Sequence, residues 1–173
     1  MPGVDAWRHR WPDVLIFLAA FFLQVSVLPL WGGVRPDLLL AVAIVIGMKQ
    51  GAQAGGLTGL LGGMLLDLVR GQFVGSFALT HALTGYMAGM IQAKLFENAL
   101  YLPFLFAMAG TVFSELSFWA LMAIWGMALP LSLSMLGLIG KEAFWNALVS
   151  PIVYRLAAAR VTAEPARARG RAA

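Results

Sequence analysis

Residues 35–79 read RPDLLLAVAIVIGMKQGAQAGGLTGLLGGMLLDLVRGQFVGSFAL. The run divides into an apolar segment, a tight turn at Lys49–Gln50–Gly51, a glycine-striped apolar segment, a second tight turn around Arg70 and the start of a third segment. Gly47, Gly51, Gly55, Gly59 and Gly63 recur at every fourth position, and Asp67 takes the next step of the series. On a helix this spacing makes one face free of side chains, with a carboxylate at its end. In water each glycine would weaken the helix by about 1 kcal/mol relative to alanine. In lipid the backbone must satisfy its hydrogen bonds internally, and small residues let two helices approach closely. The stripe reads as a packing surface.

The rest of the chain fits a bilayer. Of its 173 residues 61% are apolar and only 12% charged, against roughly 45–50% and 25% in soluble domains. The mean hydropathy is +0.83. There are no cysteines, which excludes disulfides, thiolate catalysis and Cys-based zinc sites. The net charge of +4 sits mostly in the two tails, which argues for orientation in a membrane rather than nucleic-acid binding. No small-residue cleavage site precedes the apolar run from Val14, so no cleavable signal is expected.

Six spans are expected, in one domain over residues 1–160. The first covers Asp13 to Leu30, bracketed by Trp11–Pro12 and Pro29–Trp31. The second, Leu38 to Met48, has only about eleven strongly apolar residues where about 20 cross a bilayer. It must be thinned, tilted or shielded by neighbours. Pro36 and Asp37 suit its N-terminus. The third is Ala52 to Val69. The fourth, Phe73 to Ala93, has a small-residue face of its own: Ala78, Ala82, Gly85, Gly89. The fifth runs from Tyr101 to Trp125. After a Gly126–Pro130 break, Leu131 to Ala157 is too long for one crossing, so its first turns are expected at the interface, with the crossing helix starting near Gly140.

With six spans both ends share a side. That side carries Arg8, Arg10, Lys49, Lys94, Arg155, Arg160, Arg167, Arg169 and Arg171, and the other holds Arg35 and Arg70. Positive-inside then puts both termini in the cytoplasm. Residues 161–173 form a small, basic, disordered tail.

No catalytic constellation is visible. The serines lack a Gly-x-Ser-x-Gly setting, GLTGLLGG lacks the Lys-Ser/Thr of a phosphate loop, and His81 has no acid within a turn along the chain. Metal and cofactor sites are not expected, and His81 is read as a packing residue. The stripe of Gly51, Gly55, Gly59 and Gly63 is expected to pack internally against Ala82, Gly85 and Gly89; a partner helix docking on it is the alternative. Arg35, Asp37, Asp67 and Arg70 converge at the outer face, either as a clamp between outer loops or as a partner contact. A carboxylate at Asp67 opposes the dipole of its own helix, which Arg70 would offset. Glu115 lies well inside the fifth span, where a carboxylate is costly unless paired. Counting from Ala128 in the middle of the break, Glu115 lies thirteen residues before it and Lys141 thirteen after, which predicts equal depth and a Glu115–Lys141 pair. Lys141 and Glu142 could instead snorkel at the outer interface.

The order Arg35–Pro36–Asp37, Gly51, Gly59, Gly63, Asp67, Gly71, Gly75 and Gly85–Tyr86, with Asn146-Ala147-Leu148, Pro151 and Tyr154 near the end, resembles the MreD family of the bacterial rod complex. The resemblance spans the first helix to Arg160. It implies a non-enzymatic membrane scaffold that binds MreC and works with MreB, RodA and a class B penicillin-binding protein in lateral wall synthesis and cell shape. It also implies a six-helix arrangement similar to the S components of energy-coupling-factor transporters, whence the alternative function, small-molecule capture by a transporter subunit. The first span departs from the Ala-x-x-x-Ala docking face of such S components, since Ala19 is followed by Leu23 and Ala20 by Gln24.

Overall fold

The structure, a computed structural model, describes residues 11–27, 36–71, 75–95, 101–127 and 132–158. These form six α-helices and no strand: α1 Trp11–Phe22, widening into a π-helical turn at Leu23–Val27, then α2 Leu38–Gln50, α3 Ala52–Arg70, α4 Ser76–Gln92, α5 Leu102–Ile124 and α6 Leu133–Ala158. The basic tail, the Ala128–Pro130 part of the break, and Arg35 lie outside the described residues.

The centre of the bundle is α2, and every residue from Leu38 to Met48 is buried. It touches each of the other five helices. That resolves the shortness of this segment: a helix apolar on all sides is a core helix, and one enclosed by its neighbours need not match the bilayer. Both ends of α2 are fixed by side chains or glycine. Asp37 Oδ1 accepts the Leu40 N–H at 3.0 Å, and Gln24 Oε1, presented by the π turn, accepts the Leu38 N–H at 2.7 Å. Together they satisfy donors that a first helical turn leaves orphaned. At the far end Gly51, with φ at 95°, turns the chain directly into α3.

The four-residue series is thus split by a corner at Gly51, whose backbone still packs against Gly89: a methyl group built on Gly89 would run into Gly51 and Ala52. Gly47 on α2, Gly55 on α3 and Gly85 on α4 meet where three helices cross. A methyl group built on Gly55 would run into Gly47 Cα and the Gly85 carbonyl. Farther along α3, a methyl on Gly59 would strike the His81 carbonyl, and one on Gly63 the backbone of Phe77 and Ala78. Each four-residue step on α3 is matched by one on α4. The opposing face is therefore the backbone at Phe77, His81, Gly85 and Gly89. Ala82 stands one position aside: its backbone touches Gly59 while its side chain is only half-buried.

The last helix is one continuous helix from Leu133, through the Gly140 at which the crossing helix was expected to begin. The first is α-helical to Phe22 and π-helical to Val27, and its expected end at Leu30 lies outside the described residues. Polarity across the bundle is inverted: Asp67, His81, Thr111 and Asn146 are buried, while Leu68, Ile124 and Leu133 are 67%, 79% and 89% exposed. Among the described residues two helices, α3 and α5, are long and apolar enough to cross a membrane.

Candidate functional site

The polar groups inside this apolar shell fall into two sets. The first lies where α2 begins, α3 ends and α4 begins. One step beyond Gly63 on α3 comes Asp67, and the matching step back from Phe77 runs off the start of α4 at Ser76. The carboxylate is thus delivered beneath the first turn of α4, which has no side-chain cap of its own. Asp67 Oδ2 accepts the N–H groups of Gly75 (2.9 Å) and Ala78 (3.1 Å), and Oδ1 accepts that of Phe77 (3.1 Å). A carboxylate unfavourable at the end of its own helix is stabilised by the start of the next. Gly71, at φ 62°, and Gly75, at φ 99°, shape the intervening turn.

Asp37 makes a second such knot. Besides capping α2, its Oδ2 lies 3.5 Å from His81 Nε2. The acid that the chain near His81 lacks comes from another helix. Both aspartates are buried, at 3% and 2% exposure, rather than standing in an exposed interfacial cluster. Arg70 is exposed, its guanidinium 4.3 Å from the centroid of the Phe77 ring, and no ion pair links it to a carboxylate among the described residues. Phe77 in turn stacks on Phe118 of α5, ring centroids 4.7 Å apart.

The second set is the seam between α5 and α6. Asn146 Nδ2 donates to Thr111 Oγ1 at 2.9 Å, and that hydroxyl donates to the Ala107 carbonyl at 2.7 Å. Glu115 is four residues after Thr111 and Glu142 four before Asn146, so in an antiparallel pair they share the next rung. The two carboxylates lie within electrostatic reach of each other. The expected Glu115–Lys141 pair is absent. The true register is one residue later than a count from Ala128 gives, and one residue is about 100° of rotation. That turns Glu142 toward the seam and leaves Lys141 exposed. One turn in the other direction, the Ser150 hydroxyl is fully buried.

A carboxyl group beside another in an apolar seam is costly to ionise, so Glu142→Gln is expected to stabilise the fold. A charge held in hydrocarbon costs about 3 kcal/mol, which sets the upper bound on the gain. Thermal unfolding in detergent measures it; a lower midpoint for Glu142→Gln would contradict this reading of the seam.

The opposite end of the bundle is tied differently. Gln50 Nε2 donates to Asp13 Oδ2 at 2.6 Å, and the Lys49 ammonium stands 4.2 Å over the Tyr154 ring. A crevice of about 210 Å³ opens between α4 and α5, lined by Leu79, Thr80, Leu83 and Leu121 among others, and no carboxylate faces it. Among the described residues no group of three or more His, Asp or Glu side chains could hold a metal ion. Thr111, Asn146 and Gln24 are contributors that residue-by-residue reading missed. The signal for Thr111 and Asn146 was the pair of four-residue polar spacings, Thr111/Glu115 and Glu142/Asn146, on adjacent helices; Gln24 had none. No protein family, curated protein or solved structure matches the chain.

Proposed function

We propose that this chain is a six-span scaffold of the bacterial wall-elongation machinery, with both termini in the cytoplasm, that binds MreC and through it supports RodA, the class B penicillin-binding protein and MreB. The observation that carries the reading is the inverted polarity of the bundle. Asp37 and Asp67 are taken up as internal helix caps, while long apolar side chains cover the outside of α3, α5 and α6. A fold of this kind offers lipid-facing and partner-facing surface rather than a reaction centre. The short α2 fits it, because a fully enclosed helix is exempt from spanning length. Lys49, Lys94 and Arg155 at one end of the bundle, against Arg70 at the other, support the orientation. The S-component-like arrangement is the fold that goes with this proposal.

Affinity purification from detergent-solubilised membranes tests it. MreC and the wall synthases are expected to co-purify. Arg70→Ala, which removes the exposed member of the outer charge group among the described residues, is expected to lower MreC recovery without loss of folded protein. Recovery of an ATPase module in place of MreC would overturn the scaffold reading in favour of a transporter subunit.

A further inference from the structure

The outward face of α6 carries two charges, Lys141 along its length and Arg155 in its last turn. Gly137, Lys141, Phe144, Leu148 and Ile152 follow helical spacing along a single exposed stripe. Phe144, Leu148 and Ile152 are exposed apolar residues, and a methyl group added at Gly137 or Gly140 would meet nothing within 4 Å. Lys141 has no hydrogen bond or ion pair among the described residues, because the carboxylate beside it in sequence, Glu142, is turned toward α5. Lys141 stands eight residues, or about 12 Å, along the helix from Leu133. If α6 crosses the bilayer as proposed above, a lysine placed there either snorkels to the interface or is matched by a carboxylate. The two open glycines beside it leave the helix backbone accessible to close approach.

We propose that the Gly137–Lys141–Phe144 face of α6 docks a membrane-spanning helix of a partner protein that carries an Asp or Glu at the depth of Lys141. The inference rests on the membrane-spanning reading above. It names the chemistry of a partner contact on a different helix from Arg70.

The test uses the full-length protein in phosphatidylcholine vesicles. The probe is a labelled single-span poly-leucine peptide with one Glu at matching depth, or with Gln in its place, at dilutions where the peptide does not self-associate. Energy transfer is expected to show at least tenfold tighter binding of the Glu peptide than of the Gln peptide. Lys141→Met is expected to abolish that difference, and Lys141→Glu to restore it for a Lys-bearing peptide. Removing the charge relieves a cost in lipid, so Lys141→Met should insert and fold. Equal binding of the two peptides, or an unchanged preference in Lys141→Met, would overturn the proposal and leave Lys141 as a residue that snorkels alone. Release of the protein from the vesicles by alkaline carbonate would overturn the membrane reading as well, which distinguishes the two failures.

Discussion

Gly59→Leu is expected to lower stability by about 3 kcal/mol or more, at or beyond the upper end of the usual cost of overpacking. The reason is what the first added atom meets. A Cβ at Gly59 falls against the His81 carbonyl and the Ala82 nitrogen, which are backbone and cannot rotate aside. Relief requires α3 and α4 to separate, and that would also loosen the contacts at Gly55 and Gly63. Gly140→Ala is the matched control: nothing lies within 4 Å of its added methyl, and alanine gains up to about 1 kcal/mol of helix propensity. Thermal unfolding in detergent should therefore move in opposite directions for the two variants. A neutral Gly59→Leu would refute the close approach of α3 and α4.

Asp67→Ala is expected to cost about 3 kcal/mol, because three N–H donors at the start of α4, that of Ala78 buried and those of Gly75 and Phe77 part-buried, lose one charged acceptor together. Asp67→Asn should fall between, since its single carbonyl oxygen can still accept while its NH₂ faces donors. Exchanging Asp67 with Arg70 should be worse than Asp67→Ala, because it sets a cation against a helix N-terminus. The check is the unfolding midpoint together with hydrogen exchange at Phe77 and Ala78. A loss below about 1 kcal/mol with unchanged exchange would mean that the cap is not what holds α4 in place.

The glycine stripe and Asp67 are one device, and half of it was legible. Four-residue spacing and the turn at Gly51 announced a close helix pair, because glycine in a helix has few uses other than close approach. The role of Asp67 was hidden, because it depends on where α4 begins: expecting a start at Phe73 instead of Ser76 puts the carboxylate beside the helix rather than beneath its first turn. The centrality of α2 was hidden for a different reason. A segment apolar on every side says that it is surrounded, not by what, and protein neighbours and lipid leave the same pattern. The seam of α5 and α6 failed by one residue. Depth along two antiparallel helices tolerates such an error, but facing does not, and about 100° of rotation exchanged Glu142 for Lys141. His81 was read as a packing residue, but its partner was hidden, because Asp37 lies 44 residues away in sequence.

The account stands or falls on the hairpins crossing the bilayer, and single-cysteine labelling tests that most directly. The chain has no cysteine, so each introduced thiol is the only one. Gln50→Cys and Lys94→Cys are expected to react with a membrane-impermeant maleimide only after permeabilisation, and Arg70→Cys and Met127→Cys in intact cells. Labelling of Gln50→Cys and Arg70→Cys from the same side would mean that α3 does not cross, and would contradict the account.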